Sequence, residues 1–136
     1  MNNFDQEIMA RTALGEARGI SQEARQAVMW TGVNRFTAKR WFSGQTIAGT
    51  FLKFEQYDCW NWNDKNNYPL ICNIATGIEL YDDAMYDATL VLAGLIPDLA
   101  QGATHYYDTS IPPPAWTANA TKTVQIDNLI FYKDVA

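Results

Sequence analysis

Ile74, Ile78, Tyr81, Met85, Ala88 and Leu92 follow one another in alternating steps of four and three residues. That spacing puts all six on one side of an α-helix over 73–94, with Gly94 and Pro97 as its stop signal. In a chain of 136 residues such a helix forces a helical body, because its apolar stripe must be covered by other elements. Asp82, Asp83 and Asp87 are expected on its solvated side, and they lack calcium-loop spacing.

Two further helices are expected to pack against it. Residues 4–17 form the first, closed by Gly19, with Ile8, Thr12 and Glu16 on one face beside Met9 and Ala13. Ser21 caps the second, whose Ala24, Ala27, Val28 and Thr31 make a face of small residues that lets another helix approach closely. Residues 37–53 hold one or two short helices broken near Ser43-Gly44, with Ile47, Phe51 and Leu52 turned inward. The stretch from Phe54 to Pro69 has no sustained period and reads as a long surface loop.

The character then changes. Residues 103–107 suit an extended strand, and Pro112-Pro113-Pro114 imposes an extended turn. The β-prone runs 121–126 and 129–132 flank Asp127-Asn128, a hairpin turn. The expected fold class is therefore α+β: a mainly helical body with a small β-hairpin or sheet near the C-terminus, in a single domain spanning 1–136.

Composition excludes several functions. Net charge is −5 with no Lys/Arg cluster in sequence, so no nucleic-acid partner is expected, although a local basic cleft remains compatible with that balance. No apolar run approaches the roughly 20 residues of a membrane span, and the N-terminus lacks the pattern of a classical export signal. His105 is the one histidine, which argues against a multi-histidine metal centre, and no cofactor is expected. Cys59 and Cys72 can form one bridge, but two reduced thiols are favoured.

Two constellations carry chemistry. Glu16 ends the stripe of the first helix, where the helix dipole and apolar neighbours both favour a protonated carboxyl. Such a group can donate a proton to a glycosidic oxygen, unless Arg11 or Arg18 pairs with it. Gly15, just before it, costs roughly 1 kcal/mol of helix propensity against Ala, which suggests close packing or ligand approach. The second constellation is the aromatic and amide-rich segment 54–64. Gln56, Tyr57, Trp60, Asn61 and Trp62 there combine flat apolar faces with hydrogen-bonding groups, as a sugar cleft requires. The same residues also suit a core and its turns, or a protein partner. Glu55, Asp58 and Asp64 are nominal second carboxylates for hydrolysis; a one-carboxylate lytic mechanism needs none. His105, beside Tyr106 and Tyr107, is either a ligand contact or a satisfied half-buried ring.

Ala10-Arg11-Thr12-Ala13-Leu14-Gly15-Glu16-Ala17-Arg18-Gly19 resembles the opening signature of the SleB-like cell wall hydrolases, which include spore cortex-lytic enzymes and bacteriophage lysins. Residues 27–35, ending in Asn34-Arg35, look like that family's next helix. Phe54 to Asn61 resembles its aromatic segment, and Gly102 to Tyr107 with the Pro-rich run through Trp116 its C-terminal signature. Tyr57 and Asp58 depart from the Phe and small hydroxyl residue common there. The resemblance runs in order over about 8–132 and implies a lysozyme-like fold acting on peptidoglycan glycan strands. It implies Glu16 as the catalytic acid and Gln56, Trp60 and His105 as cleft residues; with the aromatic and amide groups read above, the expected substrate contacts are Gln56, Tyr57, Trp60, Asn61, His105 and Tyr106. Lytic transglycosylation, hydrolysis by a muramidase, and a non-catalytic glycan-binding or virion protein all stay open. The expected molecule is a monomer without stable membrane insertion. It is placed in a host bacterium's cytoplasm before release to the wall, or on a virion.

Overall fold

A computed structural model describes residues 3–17, 19–53, 56–61 and 79–136. Among them, helices α1 (Asn3–Ala17), α2 (Gln22–Ala38), α3 (Ile47–Leu52) and α4 (Glu79–Leu92) precede strands β1 (His105–Asp108), β2 (Thr121–Ile126) and β3 (Leu129–Lys133). Short 3₁₀ turns occupy Asp58–Trp60 and Ala115–Asn119. The α+β class with a helical body and a small C-terminal sheet is thus observed. No helix among the described residues is long and apolar enough to cross a membrane.

Local chemistry sets the helix ends. The Ser21 hydroxyl accepts from the Ala24 N–H (3.2 Å), and the Ser21 N–H donates to Asp127 at the hairpin turn (3.0 Å). One residue thereby starts α2 and ties it to the sheet. Thr46 caps α3 through the Gly49 N–H (2.9 Å), and Asp5 of α1 accepts from the Ala48 N–H (2.8 Å). Gly94, at φ +68°, closes α4 with paired bonds from the Gly94 N–H to Val91 and from the Leu95 N–H to Leu90.

The core is a contiguous cluster contributed chiefly by α1, α2 and α4, including Met9, Ala13, Ala27, Val28, Ala84, Ala88 and Val91. The small-residue face of α2 is fully covered, as expected of Ala24, Ala27, Val28 and Thr31. At Gly32 the ring of Phe51 from α3 comes so near that an added Cβ would lie 2.0 Å from its Cζ. The sheet has order β1-β3-β2, antiparallel throughout, with His105 opposite Tyr132 and a bulge between Lys122 and Val124.

Several expectations change. Asp87 is buried, not solvated, because Gln22 and Gln26 of α2 both donate to its Oδ1 (2.9 and 3.0 Å). Leu52 is exposed, since Phe51 and Ala48 already fill the inward side of α3. Residues 56–61 are no open loop: Tyr57 and Cys59 are buried and the 3₁₀ turn packs on α1. The first turns expected for the 73–94 helix, with Trp62, Asp64 and Cys72, lie outside the described residues.

Candidate active site

Glu16 stands in the last turn of α1, against a cavity of about 380 Å³. Arg35 from α2, Gln56 and Asp58 from the aromatic segment, Tyr106 and Asp108 from β1, and Trp116 complete much of its wall. An adjoining cavity of about 270 Å³ shares Arg35, Gln56, Tyr106 and Trp116 and extends to Trp41, His105 and the C-terminal residues. With four walls in common, the two are successive compartments of one groove.

The carboxyl of Glu16 accepts from the Tyr106 hydroxyl at 2.6 Å. Burial raises the Glu16 pKa above the usual 4.5, helped by the negative charge of Asp58. Tyr106, the Cys59 backbone N–H and the more distant Arg35 act in the opposite direction without reversing the shift. Tyr106 is itself pushed well above 10 by burial and by Glu16, so it remains a donor.

Arg35 is the cation of the site, and nothing in its local context singled it out beyond the Asn-Arg ending of a familiar helix. It is 4 % exposed. Its Nε donates to the Thr104 carbonyl, and its Nη1 donates to the Gln56 carbonyl and side-chain Oε1 (3.4 and 3.3 Å). Its guanidinium lies 4.5 Å from the centre of the Tyr57 ring. Gln56 is thereby held with Oε1 occupied, leaving its amide N–H₂ as a donor. Two arginines were considered as partners of Glu16. Arg11 forms a salt bridge with Glu7 (3.0 Å), and Arg18 lies outside the described residues.

The expected substrate residues separate. Gln56 and Tyr106 line both compartments, and His105 lines the second. Tyr57 does not reach the groove: it is 1 % exposed, beneath Arg35, and its hydroxyl meets Thr31 at 2.9 Å. Thr31 gives its proton to Val28, so Tyr57 is the donor of that pair. Trp60 is turned away as well, its indole N–H donating to Thr12 Oγ1 (2.6 Å) one turn before Glu16. Asn61 closes the 3₁₀ turn on Asp58 (3.4 Å). Tyr57 and Trp60 pack with the core, and none of these three residues lines the two compartments. The aromatic surface comes from Trp116, which sits 5.4 Å from both the His105 and Tyr132 rings.

His105 is nearly enclosed, with Nδ1 2.8 Å from Thr104 Oγ1. Burial and Arg35 lower its pKa to about 3, so it is a neutral ring. Of the nominal second carboxylates, Asp58 lines the Glu16 compartment, while Glu55 and Asp64 lie outside the described residues. Asp108, unremarked in the sequence, also lines it but accepts from the Ser110 N–H and the Asn128 side chain (both 2.8 Å), which makes it a turn anchor. Among the described residues no group of three or more His, Cys, Asp or Glu could hold a metal ion.

A sequence model of the Cell Wall Hydrolase family matches residues 19–132, beginning just after Glu16. A search of curated proteins gives no match. Among solved structures, the crystal structure of the catalytic domain of the Bacillus cereus SleB protein aligns with a TM-score of 0.74 at 17 % identity, covering 98 % of this chain and 92 % of that one. The catalytic domain of the germination-specific lytic transglycosylase SleB from Bacillus anthracis aligns with a TM-score of 0.70 at 19 % identity, covering 98 % and 97 %. The chain belongs to the Cell Wall Hydrolase family and has the SleB-like, lysozyme-type α+β fold.

Proposed function

We propose that this chain, as one catalytic domain over 1–136, cleaves the β-1,4 bond between N-acetylmuramic acid and N-acetylglucosamine in peptidoglycan. The observation that carries the reading is Glu16 itself. It is a carboxyl with a raised pKa, walling a groove and held at one oxygen by a phenol. Membership of the Cell Wall Hydrolase family supports the cell wall as its substrate. In this reading a strand lies along the two compartments, with Gln56 donating to sugar oxygens and Trp116 offering a flat apolar face.

Glu16 gives its proton to the glycosidic oxygen, and the bond from that oxygen to C1 of the muramyl sugar breaks. Charge develops on the carboxylate as it does so, and the Tyr106 hydrogen bond stabilises that charge. The carboxylate then takes the proton from the C6 hydroxyl of the same sugar while that oxygen bonds to C1. An anhydro ring closes and the acid is restored. No second carboxylate and no cofactor enters the sequence.

Hydrolysis is the second reading, favoured by Asp58 at the same compartment as a base for water. Mass spectrometry of digested sacculi separates the two. Anhydromuramyl ends support the lytic path, and reducing muramyl ends alone refute it. Glu16→Gln is expected to abolish both product classes, and cleavage that survives it would refute the assignment of the acid. The site of action in this reading is the wall of a host bacterium, reached by a monomer released from the cytoplasm or carried on a virion. The resemblance to phage lysins supports that placement.

A further inference from the structure

A cavity of about 830 Å³ lies between the C-terminal end of α2 and helix α3, apart from Glu16. Three cations, Lys39, Arg40 and Lys53, line it, and no described acid does. The whole chain carries ten cations against fifteen acids, so this clustering runs against its average charge. Lys39 is the left-handed cap of α2 (φ 53°), where a cation complements the helix dipole. Lys53 is the C-cap residue of α3, and its ammonium donates to the carbonyls of Trp41 and Ser43.

The position relative to the groove is informative. Arg40 also walls an adjoining cavity that reaches Val135, and Val135 walls the second compartment of the groove. Trp41, 57 % exposed, follows Arg40 in the chain and lines that same compartment. Arg40 thus lies next to Trp41 in the chain, and one intermediate cavity separates the cations from the second compartment. The remaining wall is mixed: Ser43 and Gln45 offer hydroxyl and amide groups, and Leu52 an exposed apolar face. A volume in the range of small-ligand sites with such a lining suits a short acidic peptide better than a bare phosphate.

We propose that this cavity binds the carboxylates of short acidic peptides borne by the glycan strand that the groove holds, an inference that rests on the proposed peptidoglycan substrate. The test is co-sedimentation with purified sacculi in the Glu16→Gln background, which prevents digestion. Lys39→Gln with Arg40→Gln alters two exposed side chains, and matching thermal melts verify the fold. At low salt the double change is expected to weaken binding to peptide-bearing sacculi roughly threefold to tenfold, as two exposed charge pairs would. Raising the ionic strength from about 0.02 to about 0.3 M reproduces the loss without any substitution. On glycan stripped of peptides by an amidase, the substituted protein and its parent bind alike.

Equal binding to intact sacculi overturns the proposal, as does a loss that persists in full on stripped glycan. A loss that follows removal of wall phosphate polymers by hydrofluoric acid, and not removal of peptides, overturns it in favour of a phosphate ligand. Cleavage by the unsubstituted protein is scored separately through its glycan products. Charge-dependent, peptide-dependent binding without cleavage refutes the enzyme reading and leaves this site standing.

Discussion

Replacing Tyr106 by Phe removes one oxygen, and with it the only side-chain hydrogen bond seen on the Glu16 carboxyl among the described residues. The ring remains wedged 5.5 Å from Phe131 and 6.5 Å from Tyr57, so the groove keeps its shape. At 2.6 Å the contact falls in the range of bonds to an ionised acceptor. Such bonds are worth about 1.5–3 kcal/mol net, against roughly 1 kcal/mol between neutral partners. Glu16 begins the reaction protonated and ends the proton transfer ionised, so the substitution costs the transition state more than the bound ground state. The difference, about 0.5–2 kcal/mol, corresponds to a roughly twofold to thirtyfold fall in kcat with KM little changed.

The pH profile gives an independent sign. Tyr106 lowers the Glu16 pKa, so its hydroxyl's removal raises that pKa further. A general acid works only while protonated, and the alkaline limb of kcat should therefore move to higher pH. Turbidity clearance and released muropeptides, followed across a pH series for both proteins, provide the measurement. An unchanged kcat, or an alkaline limb that moves to lower pH, would refute the link between this phenol and the acid.

Three other outcomes are expected. The raised Glu16 pKa means that folding favours its protonated form, so stability falls as pH rises through the unfolded value of 4.5 towards the folded one; Glu16→Gln should melt higher than the parent at neutral pH and converge with it in acid, and a lower neutral melting point would contradict the burial argument. His105, lowered to about 3, should show ring C–H resonances that do not move between pH 5 and 8. Because the unfolded ring titrates near 6.5, stability at this residue is lost as pH falls from there towards 3, and a folded-state midpoint near 6.5 would refute its enclosure. Gly32→Ala places a methyl 2.0 Å from the Phe51 ring, and urea denaturation should show a loss of about 1–3 kcal/mol; no loss would mean that α3 does not sit so close.

What the sequence made legible was local. Ser21 capping α2 and Asp127-Asn128 turning the hairpin depend on neighbours a few residues away, and both stand where they were expected. Asp87 was misplaced because the two glutamines that hold it lie 65 and 61 residues earlier in the chain. Tyr57 and Trp60 carry a composition that serves sugar binding and core packing equally well, and their partners Thr31 and Thr12 decided between the two. Arg35 escaped residue-level reading for the same cause, since its bonds run to Thr104 and Gln56. The placement of Glu16 at the end of a buried stripe was legible because helix periodicity sets it.

Val135 and Ala136 wall the second compartment, and the Ala136 carbonyl accepts from the Trp41 indole at 3.3 Å. An affinity handle spliced on after Ala136 would start inside the trough meant for polymer and crowd the indole. A recombinant carrying its handle ahead of Asn3, on the far end of α1 from the carboxyl, keeps that trough unobstructed. Preparations differing only in which end is tagged should then differ in apparent potency, and that difference should vanish when the trailing handle is cut away.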